Sequence, residues 1–339
     1  MTTGDPPLVP LPRPAEPLPA IELIHELRTI VSRHVRRTPL LRSEWLSSLT
    51  GSEVFLKLES LQITGSFKVR GALAAVSRLS EAKRARGLIA ASAGNHGQGL
   101  AFAARLFDVP CTVVVPRNVA DIKEAGMRAR GARVIRSPHD GYDATQEWTF
   151  EHLEELGGTW VSPFDDPAVI AGNGGTLALE IFEEGGPEEG GPFDALVVPC
   201  GGGGCAIGMG IVAHARTPAT RVVGVNTDAS PGMWLSRRDG RPYLTVESAP
   251  TIADGIEGGV SERSYEWGKS SIDEVVLVRE QTIRRAVAEI ARHEHVIVEG
   301  AGAAGVAALL EGGVRGERLA VVLTGSNIDS ARLRELLEE

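Results

Sequence analysis

Lys68 sits in ITGSFKVRGA (63–72), where Ile63 and Phe67 flank it with apolar surface and Thr64, Gly65 and Ser66 read as a turn that opens a helix. Charged lysines are rarely buried unless they are paired. Burial and the positive end of a helix both lower an ammonium pKa, and the amine so freed is a nucleophile suited to Schiff-base formation. Taken alone, the stretch also describes a lysine whose stem is covered and whose tip snorkels to water.

Three further stretches have comparable potential. VVPCGGGGCAIG (197–208) takes a buried strand into Gly201, Gly202, Gly203 and Gly204 and then into a helix start. Successive backbone N–H groups turned inward form an anion nest, and the helix end adds positive potential, so a phosphate is the expected ligand. A looser G-x-G-x-x-A on Gly201, Gly203 and Ala206, with Asp228 at the next strand end, keeps a dinucleotide site open as a rival. ASAGNHGQGLA (91–101) repeats the strand, loop and helix. Its N–H groups from Ser92 to His96 suit a carboxylate and Asn95 can orient one polar group, although Asn95 also suits a left-handed turn and His96 a helix start. VVLTGSN (321–327) ends a buried strand in Thr324, a neutral hydroxyl of the kind that ordinarily caps a turn.

These stretches need a frame. Apolar runs at 52–59, 87–93, 111–116, 133–138, 194–200, 220–228, 274–279 and 319–325 read as strands. Helical patterns fall at 20–34, after Ser66, and at 97–107, 121–131, 173–184, 206–216, 280–295 and 301–311. Strands alternating with helices of this length indicate parallel sheets with crossover connections. The expected fold is α/β with two open parallel-sheet domains and the active site in the cleft between them. A small domain spans 57–153; a large one joins 20–56 to 154–339. Residues 1–19, with seven prolines from position 5 onward, read as a mobile lead-in.

A net charge of -9 argues against nucleic-acid or anionic-membrane partners. No apolar run reaches the length of a membrane span, and the N-terminus lacks a signal-peptide pattern. Cys111, Cys200 and Cys205 form neither a disulfide framework nor a zinc spacing, so a cytoplasmic protein without a metal is expected.

Six motifs in order, TGSFKVRGA (64–72), SAGNHGQGLA (92–101), PFDDPAVIAGNGGT (163–176), PCGGGG (199–204), TIADGI (251–256) and LTGSN (323–327), give the chain its resemblance. It resembles the serine/threonine dehydratase group of fold-type II, tryptophan synthase beta-like, pyridoxal-phosphate enzymes. The resemblance implies pyridoxal 5′-phosphate as cofactor, bound covalently through Lys68. Phe67 would pack on its ring, Asn95 would hydrogen-bond its ring hydroxyl, Gly201 to Gly204 would cradle its phosphate and Thr324 would face its ring nitrogen. Ser92, Ala93, Asn95 and His96 would form the substrate-carboxylate loop.

The implied reaction is α,β-elimination from a β-hydroxy L-amino acid such as threonine or serine, giving a 2-oxo acid and ammonia, with Lys68 as the Cα base. Racemases of the group place a serine as second base where this chain has Ala93. Members that bind a divalent cation place an acidic residue where this chain has Asn226, with Asp228 nearby. DGIEGGV (254–260) and SNID (326–329) look closer to catabolic dehydratases such as those of hydroxyectoine breakdown, which leaves 3-hydroxyaspartate and other hydroxy amino acids open as substrates. A β- or γ-replacement enzyme of the threonine or cysteine synthase kind is the enzymatic alternative, and a nucleotide-binding module the remote one. The resemblance further implies a homo-oligomer, dimer or tetramer, and the chain ends too soon after its last motif for a C-terminal regulatory domain.

Overall fold

The computed structural model describes residues 17–185 and 191–339; most of the proline-rich lead-in therefore lies outside the described residues. Short apolar runs flanked by Gly, Pro or polar residues form the strands, and in the central ones, Leu88–Ala91, Ala195–Pro199 and Arg318–Val322, the side chains are covered on both faces. The strands are β1 (Leu40–Arg42), β2 (Glu53–Lys57), β3 (Leu88–Ala91), β4 (Cys111–Val115), β5 (Arg133–Arg136), β6 (Thr159–Trp160), β7 (Ala195–Pro199), β8 (Arg221–Thr227), β9 (Glu274–Val278) and β10 (Arg318–Val322). Two sheets result. One runs β1-β2-β10-β7-β8-β9 and the other β5-β4-β3-β6. All pairings are parallel except that of β1 with β2.

The fold expectation holds, with corrections at element ends. The expected domain boundary at 153 precedes β6, which pairs with β3 in the four-stranded sheet. Two half-buried residues give too short a pattern to be read as a strand. The helix expected at 173–184 begins as a π-helical turn, Ala171–Gly175, before the α-helix Thr176–Glu184. Here Asn173 Oδ1 accepts from the Gly71 N–H at 2.7 Å, tying the wide turn to the neighbouring helix.

That neighbouring helix, Lys68–Arg78, is the spine between the sheets. Its Val69, Leu73 and Val76 are fully buried in one apolar core that continues into Leu88 and Ala90 of β3 and Leu196 and Val198 of β7. It lies so close to the helix Asn95–Leu106 that a Cβ on Gly99 would come within 3.0 Å of the Lys68 backbone. Its polar contact is as firmly held. Arg70 is 1% exposed, and it donates to Glu59 at 2.8 and 2.9 Å and to Glu180 at 2.7 and 2.9 Å. Lys57, also buried, pairs with Glu180 and Glu184 at 3.0 Å each. Buried charges are tolerated when paired and hydrogen-bonded in this way. Among the described residues, no helix is long and apolar enough to cross a membrane.

Candidate active site

Between the sheets lies a cleft that collects the ends of β3, β7 and β10 and the start of the Lys68 helix. Every site residue expected from the sequence lines it: Phe67, Lys68, Ser92, Ala93, Asn95, His96, Gly201, Gly202, Gly203, Gly204 and Thr324. Open parallel sheets place their ligands at such strand ends.

Lys68 is the first residue of its helix, and Phe67 is the cap residue before it. Its Nζ donates to the Pro163 carbonyl at 2.9 Å and stands 5.4 Å from the Phe67 ring centroid. Burial pulls the ammonium down to about 8; the charge of Glu299 pulls the other way without cancelling this. The helix starts two residues later than Ser66, and burial is the dominant cause of the depression. The amine is therefore neutral far more often than that of a surface lysine, which titrates near ~10.4.

The glycine run follows β7 and leads into the helix Gly204–Arg216. Gly203 has φ +88°, a conformation that a side chain disfavours. A Cβ on Gly204 would stand 2.3 Å from the Phe164 carbonyl oxygen, and one on Gly202 would stand 2.6 Å from the Phe164 ring. Among the described residues, the N–H groups of Gly201, Gly202 and Gly203 have no hydrogen-bond partner. Unpaired N–H groups beside a helix start are a cradle for phosphate, and the fit to pyridoxal phosphate is good on this ground.

The loop after β3 is tighter than its sequence suggests. Its helix begins at Asn95, because the Ser92 hydroxyl accepts from the N–H groups of Gly94 at 3.0 Å and Gly97 at 2.9 Å. His96 turns away from the cleft centre, and its Nε2–H donates to the Val161 carbonyl at 3.1 Å. Burial pulls His96 down to about 3, so the ring is neutral and Nδ1 is a bare acceptor. The Asn95 amide is held at both ends. Nδ2 donates to Glu299 Oε1, and Oδ1 accepts from Asn327 Nδ2 at 2.7 Å.

Lining residues not singled out one by one in the sequence include Lys123, Tyr142, Asp254, Glu257 and Glu299. Lys123 Nζ reaches across the cleft to Asp254 Oδ2 at 2.6 Å and stands 3.6 Å from Glu299 Oε2. Asp143, beside Tyr142, accepts from the N–H groups of Gly259 at 3.0 Å and Val246 at 3.3 Å. The segment 246–259 is thus held to the four-stranded lobe at two points. A carboxylate between an apolar run and a Gly/Ala helix, VIVEGAGAAG (296–305), was the available signal for Glu299. Asn226 is spent on structure: Nδ2 donates to the Cys200 carbonyl, and Oδ1 accepts from the Trp234 N–H at 2.9 Å. Asp228 Oδ1 accepts from the Glu280 N–H at 3.1 Å, at the start of the helix Glu280–His293.

An amine whose pKa is lowered by burial, beside a phosphate cradle at the joint of two parallel sheets, is the arrangement of an enzyme that anchors a phosphorylated carbonyl cofactor. Residues 31–325 match the family model described as pyridoxal-phosphate dependent enzyme, and the chain belongs to that family. Its cofactor is pyridoxal 5′-phosphate. The chain is 42% identical to an L-threonine ammonia-lyase of Thermotoga maritima, over 91% of this chain and 76% of that one. It is 36% identical to a catabolic L-threonine dehydratase of Staphylococcus aureus, over 93% and 91% of the two chains. Among solved structures, a T.th. threonine deaminase superposes with a TM-score of 0.84 at 35% identity, covering 92% of this chain and 99% of that one. Maize serine racemase does so with 0.84 at 26% identity, covering 95% and 97%.

Proposed function

We propose that the protein is a β-hydroxy amino acid ammonia-lyase that converts L-threonine or L-serine to a 2-oxo acid and ammonia. The observation that carries this reading is Lys68, an amine kept near neutrality within the same cleft as the glycine cradle. Relatives named threonine ammonia-lyase and threonine dehydratase support the substrate class.

When bound, pyridoxal 5′-phosphate supplies an aldehyde for the substrate amine and an electron sink for the Cα–H bond pair. The chain's own groups do the rest. Gly201 to Gly204 would hold the phosphate, Phe67 would pack against the ring and Asn95 would hydrogen-bond its hydroxyl. Within the 92–96 loop the N–H groups of Ser92 and Gly94 are held by the Val114 carbonyl and the Ser92 hydroxyl, so those of Ala93, Asn95 and His96 would receive the substrate carboxylate. Thr324, a neutral hydroxyl lining the cleft, would face the ring nitrogen without giving it a formal positive charge, which would favour prompt loss of a β-leaving group over transamination. Lys68 Nζ takes the Cα proton, and the β-hydroxyl leaves with one proton as water, so that the proton gained at Lys68 balances the one lost with the leaving group. The released enamine, through its imine tautomer, consumes one water on hydrolysis and frees ammonia. Ala93 offers no second base on the other face, so racemisation is slow relative to elimination.

The active site belongs to a cleft between a small and a large domain, and we read the enzyme as cytoplasmic and homo-oligomeric; the free thiols of Cys111, Cys200 and Cys205 fit a reducing compartment. Assay of 2-oxo acid formed from L-threonine, L-serine and 3-hydroxyaspartate tests the function. Product from threonine or serine without an added nucleophile is expected. Product only when a second nucleophile is supplied would mean a replacement enzyme.

A further inference from the structure

Among the described residues that line the cleft, two side-chain atoms are buried with no hydrogen-bond partner, His96 Nδ1 and Glu299 Oε2. The first is the lone pair of a neutral ring. The second belongs to a carboxyl, for which an unmet oxygen is far more costly. Glu299 is 2% exposed and immobile. Its N–H donates to the Gly325 carbonyl at 3.0 Å, and its Oε1 lies where a Cβ on Gly325 would come within 2.3 Å.

Its two oxygens differ in their neighbours. Oε1 accepts from Asn95 Nδ2, while Asn95 Oδ1 is held by Asn327, whose Nδ2 also donates to the Thr64 carbonyl at 3.0 Å. Because the carboxyl oxygen takes an N–H and Asn327 gives one, the Asn95 amide has one orientation. Oε2 faces Lys123, but at 3.6 Å that ammonium is beyond hydrogen-bond range and is committed to Asp254 at 2.6 Å. Burial, opposed by Lys123 and reinforced by Asp254, raises the Glu299 carboxyl above its ordinary range.

We propose that Glu299 is a further positioning residue of this site. Through Oε1 it fixes the Asn95 amide, and through Oε2 it shares one proton with the ligand oxygen that docks beside Asn95, the ring hydroxyl of the cofactor. Either oxygen can hold that proton at rest, so the pair forms without net proton uptake. The inference rests on the role of Asn95 proposed above.

The test uses the holoenzyme: wild type, Glu299→Gln, Glu299→Asp and Asn95→Ala, each loaded with pyridoxal 5′-phosphate. Near-ultraviolet and visible absorbance is followed across neutral pH, cofactor affinity by tryptophan quenching, and fold by circular dichroism. Glu299→Gln binds the cofactor about tenfold more weakly, the loss of one hydrogen bond to a charged group. It also changes the ratio of the absorbance bands and removes a pH-dependent step present in wild type. Lys68, Lys123 and Asp254, the other titratable groups facing this carboxyl, remain in the variant, so the missing step belongs to Glu299. Glu299→Asp, one methylene shorter, gives an intermediate spectrum. A folded Glu299→Gln with wild-type spectrum and affinity overturns the proposal. If Glu299→Gln does not fold, a wild-type spectrum in Glu299→Asp overturns it instead. An unaltered Asn95→Ala spectrum overturns the role of Asn95 and the proposal with it, whereas altered Asn95→Ala beside unaltered Glu299→Gln overturns the proposal alone.

Discussion

Replacing Arg70 by methionine removes four charge-assisted hydrogen bonds, two to Glu59 and two to Glu180, from beneath the helix that carries Lys68. The consequences for the two carboxylates differ. Glu180 keeps Lys57 at 3.0 Å, whereas fully buried Glu59 keeps a direct bond only from the Thr38 hydroxyl, at 2.5 Å. Breaking a buried pair from one side costs about 3–5 kcal/mol, a large fraction of a total stability of about 5–15 kcal/mol. Urea unfolding at neutral pH measures this gap directly.

The pH dependence identifies its origin. In wild type, burial tends to raise the Glu59 carboxyl, but Arg70 overrides it and holds the group below its ordinary range. Glu59 therefore contributes stability that is present above its unfolded pKa of about 4.3 and is lost as pH falls through the lower folded value. Without Arg70, burial prevails and the folded pKa lies above the unfolded one, so the variant is penalised at neutral pH and relieved on acidification. The gap between the two proteins must shrink as pH falls toward the unfolded value. A gap under about 1 kcal/mol at neutral pH, or one that stays constant with pH, would refute the assignment of this network.

Lys68 should give its own pH signature: capture of pyridoxal 5′-phosphate by apoprotein, followed as new visible absorbance, accelerates through a pH of about 8 and then levels. A midpoint near the ordinary lysine value would show that the amine is not desolvated, and Lys68→Ala should capture none. Gly204→Ala puts a methyl 2.3 Å from the Phe164 carbonyl oxygen. Backbone must then move, and stability should drop by about 1–3 kcal/mol with cofactor affinity falling at least about tenfold; tryptophan quenching and thermal melting read both. Asp143→Ala frees the N–H groups of Gly259 and Val246, and amide hydrogen exchange over 246–259 should speed up by about tenfold, with the core strands unaffected.

Much of this was legible because parallel strands buried on both faces advertise themselves as short apolar runs, as β7 and β10 do. The same physics hid β1 and β6, which have two or three residues and no fully buried position. Helix Tyr142–Glu151 was missed because its buried positions are Thr145 and Thr149, whose hydroxyls bond back to the Gly141 and Thr145 carbonyls in place of an aliphatic stripe. In the site, Lys68, the glycine run and the Asn95 loop were readable because each combines a strand end, glycines and a helix start. Lys123, Asp254 and Glu299 have meaning only through each other, and Lys123 meets the two carboxylates from more than a hundred residues away in the chain. No local pattern encodes such a meeting.

Strand β10 has a consequence for how the enzyme comes into being. It is inserted between β2 and β7, so the six-stranded sheet stays in two pieces until residue 322 is available. The loop that follows then clasps the lysine turn: Phe67 N–H donates to the Thr324 carbonyl at 3.1 Å, and Ser326 N–H to the Gly65 carbonyl at 2.8 Å. Non-local pairings of this kind form late, and a nascent chain lacks the clasp until residues 318–326 have been made and have paired. Until that clasp closes, the turn that carries Lys68 lacks two of the backbone hydrogen bonds that hold it in the folded protein. The burial that lowers the Lys68 pKa is thus a property of the assembled sheets and not of the lysine turn alone.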